Sequence, residues 1–279
     1  MENTRERLIE RYPVSAYFAL AFAISWAGAL TIAARYLIQR EPLPAMTGIL
    51  MFPVMLLGPS IAGITLTRVV DGKAGIREFF SRLLLVRFPL YWYTALLIPP
   101  VLVFAVLVVL ARLLSPFYAP NHFFTGVLFA VPAGVLEEIG WTGYALPKML
   151  SKSDAMSASV VLGLLWAFWH LPVINYLGSA TPHGSYWLQF FFAFALAMTA
   201  IRMLIVWLYV NTKSVLLAQL FHISSTGSLI VFGPSRVSSA QEPYWYAIYG
   251  SALWVLVAMV VHNFGRQLRV TSQTIDANR

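Results

Sequence analysis

Long apolar runs separated by short polar segments dominate the chain from residue 14 to residue 262. As helices rising about 1.5 Å per residue, eight of these runs are long enough to cross about 30 Å of hydrocarbon. They cover approximately residues 14–37, 46–69, 90–113, 122–146, 156–177, 186–210, 214–233 and 244–263. Because lipid offers the backbone no hydrogen-bond partners, such runs must satisfy their own backbone groups. The pattern predicts an all-α, polytopic membrane protein with about eight transmembrane helices.

The basic residues between the spans predict an orientation. Loops on the cytoplasmic side of a membrane protein carry an excess of Lys and Arg. With the N-terminus inside, the inner segments hold Arg5, Arg7, Arg11, Arg68, Lys73, Arg77, Arg82, Arg87, Lys148, Lys152, Lys213, Arg266, Arg269 and Arg279. The outer segments hold only Arg35, Arg40, Arg112 and Arg236. This bias predicts that both termini are cytoplasmic, and we expect the plasma (inner) membrane as the location.

The composition supports the membrane assignment. Hydrophobic residues make up 59% of the 279 residues and charged residues 11%, against about 25% charged in ordinary globular proteins. The net charge of +8 is spread over short loops rather than one patch, so we expect the lipid bilayer and no nucleic acid as partner. The chain has no cysteine, which excludes disulfides, thiolate metal sites and cysteine nucleophiles.

The first apolar run is expected to be a retained span. Residues 14–34 are longer than the core of a signal peptide, and no convincing cleavage site of small residues follows them. No internal repeat or soluble segment interrupts the remaining spans. We therefore interpret residues 1–279 as one membrane domain.

The segment between spans two and three leaves two interpretations open. Apolar side chains recur at helical spacing while three arginines interleave with them: Ile76, Phe79, Phe80, Leu83 and Leu84, with Arg77, Arg82 and Arg87. This pattern is typical of an amphipathic helix on the cytoplasmic interface. A simple basic loop of the inner side fits the same residues.

Five acidic, basic or histidine residues lie deep inside the predicted spans, away from their ends, where charge is costly. They are Glu137 and Glu138 in span four, His170 in span five, Arg202 in span six and His222 in span seven. Measured from the span centres, all four helices bring these groups to within about 6 Å of the midplane. Placement toward lipid would be very unfavourable. We therefore predict that they converge on a polar intramembrane cavity, as a functional site or as a structural cluster that joins helices.

The adjacent carboxylates are suited to acid–base chemistry. Two neighbouring acids in a low-dielectric site cannot easily both ionise without a cation, so their properties are expected to diverge. Helical spacing places Glu138 on one face with Thr142, and Glu137 on one face with Trp141. A glutamate that takes a proton from water is a recognised form of general base.

Other intramembrane protease designs fit less well. The H-E-x-x-H zinc motif is absent, and all three aspartates lie outside the spans. A serine–histidine pair using Ser60 is conceivable, but its Gly-Pro-Ser context is also typical of a helix kink. A glutamate with two histidines remains.

Three segments resemble the motifs of the CPBP (Abi) family of intramembrane proteases, which includes CAAX prenyl endopeptidases and bacteriocin-processing and immunity proteins. They are residues 136–147 (LEEIGWTGYALP), 165–172 (LWAFWHLP) and 220–226 (LFHISST). Their order and their positions on spans four, five and seven match the family. The resemblance covers about residues 120–230, which we expect to form the catalytic core.

The resemblance implies roles for individual residues. Glu137 would be the general base that activates water, with Glu138 as its partner. His170 and His222 would orient that water or stabilise the oxyanion. Glu137, His170 and His222 could also hold zinc. A metal-free mechanism uses the same residues, and we expect no tightly bound structural metal.

Three positions depart from the family's usual motifs. Thr142 replaces the arginine four residues after the second glutamate, Trp166 replaces a phenylalanine, and Thr226 replaces an asparagine or aspartate. A buried glutamate without a cation is costly. We hypothesise that Arg202 supplies the missing charge from span six. The alternative is that Arg202 extends to the cytoplasmic interface.

The leading functional prediction is an endopeptidase acting on peptides or prenylated protein tails at the cytoplasmic face. A non-catalytic binding or immunity protein with the same fold is the second interpretation, suggested by Thr142 and Thr226. A proton-coupled transporter is the third, because Glu and His also form proton relays. No paired halves of the kind common in transporters are found.

Overall fold

The computed structural model describes residues 9–176 and 183–270, and these ranges contain helices and connecting turns but no strand. The α-helices are α1 Pro13–Gln39, α2 Ala45–Leu66, α3 Gly72–Leu83, α4 Ile98–Leu113, α5 Val127–Gly140, α6 Leu146–Leu150, α7 Ala155–Trp169, α8 Trp187–Thr212, α9 Val215–Phe232 and α10 Gln241–Phe264. The all-α prediction is confirmed. Arg5, Arg7 and Arg279, which contribute to the predicted charge bias, and the last residue of predicted span five lie outside the described residues.

Each predicted span corresponds to a helix in the structure. Within the described ranges, seven helical stretches are long and apolar enough to cross a membrane: Pro13–Gln39, Met46–Leu83, Leu90–Leu113, Phe124–Leu150, Gly184–Thr212, Val215–Phe232 and Gln241–Phe264. The eighth, α7, has only 15 residues. It is shorter than predicted because the α-helix ends at Trp169 and a π-helical turn, Pro172–Tyr176, follows it. The chain is an integral membrane protein.

The second span continues further than its apolar run. A π-helical turn, Thr67–Asp71, joins α2 to α3 without an interruption. The segment that the sequence left open is therefore helical. Phe79 is buried, whereas the next residue, Phe80, is 46% exposed. A Cβ added to Gly143 would lie 2.9 Å from Cε2 of Phe79, so this ring rests against the turn that follows α5.

Polar caps define where helices begin and end. Asp154 accepts a hydrogen bond from the Ser157 amide at the start of α7, and Ser214 accepts one from the Leu217 amide at the start of α9. These caps satisfy amides that lack a partner within the helix. Lys213 takes the left-handed conformation (φ 59°) that ends α8. The turn between α8 and α9 is therefore tight, and it sets the two helices side by side.

Small residues let the helices that carry the predicted site approach one another closely. A Cβ added to Gly134 on α5 would lie 2.8 Å from the Gln219 carbonyl oxygen and 2.9 Å from the Ile223 amide nitrogen of α9. A Cβ added to Gly163 on α7 would lie 2.7 Å from Cα of Thr199 on α8. Close backbone approach at small residues is typical of membrane helix packing. Both contacts lie about one turn before residues of the site.

Candidate active site

The two adjacent glutamates lie in the last turn of α5, immediately before the π-helical turn Trp141–Ala145. Glu137 is 1% exposed and Glu138 is fully buried. Burying a carboxylate is costly unless it is paired or hydrogen-bonded. The partners of the two side chains therefore determine what each can do.

Glu138 is held through both of its oxygens. Nη1 of Arg202 on α8 lies 2.8 Å from Oε2, and the Thr142 hydroxyl donates to the same oxygen. Nδ1 of His222 on α9 lies 2.8 Å from Oε1. Since a carboxylate accepts, Nδ1 of His222 carries the hydrogen, and Nε2 of the neutral ring is left as an acceptor. Three helices thus meet at this carboxylate.

Glu137 is held on one side only. Its Oε2 accepts hydrogen bonds from the indole nitrogens of Trp166, at 2.6 Å, and Trp141, at 3.2 Å. Both donors are neutral. Within residues 9–176 and 183–270, no hydrogen bond engages Oε1 of Glu137. The carboxylate is therefore fixed in place while one of its oxygens stays without a protein donor.

His170 lies at the edge of the cluster and is partly exposed. Its Nδ1 is 2.8 Å from the Trp166 carbonyl oxygen, which can only accept, so Nδ1 carries the hydrogen. The ring packs edge-on against Trp169 and Phe194, with centroids 4.8 Å and 5.3 Å away. These contacts fix the ring and leave Nε2 of the neutral imidazole as an acceptor.

Trp166 connects the whole cluster. Besides donating to Glu137, its ring lies 4.4 Å beneath the Arg202 guanidinium and 5.0 Å from the ring of His222. The sequence singled out this residue only as an aromatic replacement, and the hydrogen bond to Glu137 was not predicted. The available signal was the indole itself, at the position where the motif that the sequence resembles usually has a phenylalanine, because only the indole can donate. Trp141 is a similar case: the sequence predicted that it shares a helix face with Glu137, but not that its indole donates a hydrogen bond to Glu137.

The structure brings together most of the predicted residues. Glu137, Glu138, His222, Thr142, Arg202 and Trp166 form one hydrogen-bonded and stacked cluster, with His170 attached through Trp166. Arg202 is fully buried, so its side chain does not extend to the interface. Thr226, by contrast, makes no side-chain hydrogen bond to the cluster in the described part of the chain.

Ser60 does not form a serine–histidine pair. Its hydroxyl donates to the Leu136 carbonyl oxygen at 2.5 Å, one residue before the first glutamate. A hydroxyl committed to a backbone carbonyl is not activated by a base. Ser60 instead ties α2 to α5 beside the site.

The arrangement does not match a three-ligand metal site. Across the residues that the structure describes, no three His, Asp or Glu side chains converge closely enough to hold a metal ion. Both oxygens of Glu138 are already engaged, and the Trp166 side chain contacts all three residues of the sequence-predicted set, Glu137, His170 and His222. No catalytic step is therefore derived through a metal.

Comparisons with known proteins agree with the geometry. A family model described as Type II CAAX prenyl endopeptidase Rce1-like matches residues 118–227, a range that contains all three motifs. The chain is also similar to CAAX prenyl protease 2 of Methanococcus maripaludis, with 27% identity over 229 residues, which cover 76% of this chain and 82% of that protein. These similarities, the order of the motifs and the cluster that they build all support the resemblance of the chain to the CPBP family, which includes the CAAX prenyl endopeptidases.

Proposed function

We propose that the protein is an intramembrane endopeptidase that hydrolyses a peptide bond near the end of a prenylated protein, with Glu137 as the general base. The geometry of Glu137 carries this proposal. Two neutral indole donors fix Oε2 of a buried carboxylate and leave Oε1 without a donor in the described chain. That oxygen is suited to take a proton from water. The name of the archaeal relative supports the prenylated substrate class.

The two glutamates have different roles in this proposal. Glu137 removes a proton from water, and the hydroxide oxygen attacks the carbon of the scissile carbonyl. Glu137 then gives the proton to the leaving nitrogen as the C–N bond breaks, so one water yields a new carboxyl end and a new amine. Glu138, engaged through both oxygens, does not exchange protons with the substrate. It orients His222 through the 2.8 Å contact with Nδ1.

The histidines act at opposite sides of the reacting carbonyl. His170 is held by a backbone carbonyl and is neutral when its Nε2 accepts a hydrogen bond from the attacking water. His222 is oriented by the Glu138 carboxylate through Nδ1, and in the proposed step its ring carries a hydrogen on Nε2 as well, which donates to the developing oxyanion. The proposal uses no metal.

The decisive experiment compares the purified full-length protein with its Glu137→Gln variant on quenched peptides ending in a prenylated cysteine motif. Glutamine keeps the shape and can still accept the two indole hydrogen bonds but cannot take a proton from water. We expect cleavage to fall by about 10²–10⁴-fold, the usual contribution of a general base. Glu78→Gln, which changes an exposed acid on α3, serves as the control. Equal cleavage by wild type and Glu137→Gln would refute the glutamate-base mechanism, and binding without cleavage by the wild type would favour the non-catalytic alternative.

We also propose the inner membrane with both termini in the cytoplasm. Described basic residues such as Lys73, Lys152 and Arg266 lie in the segments assigned to the inner side. Because the chain lacks cysteine, single-cysteine variants report topology directly. In intact cells, a membrane-impermeant maleimide is expected to label Arg236→Cys and to leave Lys152→Cys unlabelled. The reverse pattern would overturn the orientation.

A further inference from the structure

The Arg202 guanidinium is buried without a full set of hydrogen bonds. Its Nη1 pairs with Glu138, whereas Nε and Nη2 have no partner among the described residues. A buried cation normally requires both a counter-charge and hydrogen bonds. Here the remaining contact is the indole face of Trp166, 4.4 Å from Cζ. A cation over an aromatic face is attracted by the ring, and the attraction grows when water is absent.

The space beside Glu138 is what admits this guanidinium. Thr142 occupies the position one turn after Glu138 on its own helix, and its short side chain reaches the same oxygen that Arg202 contacts. A long cationic side chain at residue 142 would compete for Oε2 with Arg202. Two unshielded cations at one buried carboxylate oxygen repel each other. The short side chain of Thr142 therefore leaves Oε2 of Glu138 accessible to Arg202, which supplies the only cation at that oxygen among the described residues.

Helix packing brings the Trp166 ring against the Arg202 guanidinium. Gly163 and Thr199, which precede Trp166 and Arg202 by three residues each, bring α7 and α8 into backbone contact. Residues three apart on a helix share a face. The close approach therefore places the indole of α7 against the guanidinium of α8.

We propose that Thr142, Trp166 and Arg202 form one coupled unit in which α8 supplies the cation that fixes Glu138. Arg202 is a positioning residue: it acts through Glu138 on His222 and does not touch substrate. This inference rests on the proposed function. It adds α8 to the active site. It also predicts that an arginine at residue 142 can replace Arg202 as the cation that pairs with Glu138.

Charge relocation tests the unit. In the wild-type background, Thr142→Arg is expected to reduce kcat by about 100-fold, because two cations then compete for Glu138. Arg202→Met is expected to cause a loss of similar size, with KM little changed. The double variant Thr142→Arg with Arg202→Met is expected to have a kcat at least about tenfold higher than that of Arg202→Met alone, because one cation is again present beside Glu138. The effect of Thr142→Arg thus changes sign, which a purely structural role would not produce. Harm from Thr142→Arg in both backgrounds, in variants that keep the wild-type melting temperature, would overturn the proposal.

A second cycle covers the case in which the relocated arginine does not fit. Glu138→Gln and Arg202→Met are each expected to lower the melting temperature of the purified protein. The double variant is expected to melt no lower than the less stable of the two single variants. Additive losses would show that the two residues are not coupled. Leu188→Ala is the control on α8, since its side chain is exposed and lies away from the cluster along the helix. It is expected to retain wild-type kcat.

The two readouts separate this inference from the proposed function. If the wild type cleaves no prenylated peptide, the proposed function fails, while the melting cycle still tests the coupling of Glu138 with Arg202. If the wild type cleaves and Arg202→Met cleaves equally well, only the inference fails.

Discussion

The indole nitrogen of Trp166 lies 2.6 Å from Oε2 of Glu137 and links the second sequence motif to the first across two helices. The same residue accepts a hydrogen bond from His170 through its carbonyl oxygen. One tryptophan thus sets the direction of the proposed base through its side chain and the tautomer of a histidine through its backbone. A change in its side chain affects only the first of these bonds.

Trp166→Phe is therefore expected to lower kcat without unfolding the protein. Phenylalanine keeps an aromatic ring but cannot donate to Glu137. Hydrogen bonds to charged groups contribute about 1.5–3 kcal/mol, which corresponds to a loss of roughly 10- to 160-fold in rate. The measurement is kcat on the prenylated peptide together with the melting temperature.

Trp254→Phe is the matched control for this prediction. Its indole donates to the Leu196 carbonyl oxygen at 3.0 Å, far along the chain from the glutamates. We expect this variant to retain kcat. If both substitutions had the same small effect, the hydrogen bond from Trp166 to Glu137 would not contribute to catalysis.

Gly134→Ala is expected to separate α5 from α9. The added methyl group would lie 2.5 Å from Cγ1 and 2.9 Å from the amide nitrogen of Ile223, and the backbone cannot move aside as a side chain can. Overpacking of this kind costs about 1–3 kcal/mol of stability. Because His222 precedes Ile223, its 2.8 Å contact with Glu138 should lengthen. The kcat of the folded variant should therefore fall, beyond any loss of activity caused by unfolding.

Gly227→Ala provides the comparison at the same pair of helices. There the added methyl group would lie 3.1 Å from Cγ2 of Val127, a side-chain atom that can shift. We expect a small change in melting temperature and near-normal kcat. Equal losses in the two variants would mean that close approach at Gly134 is not specifically required for the site.

The sequence predicted the site better than it predicted the exact extent of the helices. The cost of placing charge in lipid predicted that Glu137, Glu138, His170, Arg202 and His222 converge on one cavity, with the interface left open as an alternative position for Arg202. The structure connects these residues through Trp166 and direct hydrogen bonds. Apolar runs could not show where α7 ends, because a π-helical turn has the same composition as an α-helix. They also could not show that α2 continues into the amphipathic α3.

The partners of each carboxylate oxygen were beyond sequence analysis. Helical spacing predicted that Thr142 reaches Glu138, because both lie on one helix. The contact of Arg202 with Glu138 joins residues 64 positions apart. Equal depth made that contact reasonable, but the side chain could also have reached the interface. In the structure, α7 packs against α8 at Gly163, and the buried Arg202 guanidinium lies over the Trp166 ring.

Phe79→Ala is expected to detach α3 from the turn after α5. The Phe79 ring is buried against Gly143, five residues after Glu138. Removing a buried phenyl ring costs about 3 kcal/mol or more. Phe80→Ala changes the exposed neighbour and is expected to have little effect on stability. Thermal unfolding of both variants in one detergent provides the measurement, and equal melting temperatures would show that α3 is not anchored by Phe79.

The acid dependence of stability is expected to include Asp154, which lies outside the spans at the start of α7. The Ser157 amide and the Arg266 guanidinium, 3.0 Å away, lower the pKa of this carboxyl group to about 2. Its pKa in the unfolded chain is about 3.9. A lowered folded-state pKa contributes stability above the unfolded value, and this contribution is lost as the pH falls through the folded value. The contribution should therefore be complete above about pH 5, fall steeply between about pH 4 and pH 2, and be lost near pH 1.

Asp154→Asn isolates the charge in this prediction. Asparagine can still cap α7, because it accepts from the Ser157 amide as well as aspartate does. It carries no charge for Arg266. The melting temperature of the wild type is thus expected to exceed that of Asp154→Asn at pH 5, and the difference should close as the pH approaches about 1. A difference that stays constant over this range would assign the stabilisation to the cap rather than to the ion pair with Arg266.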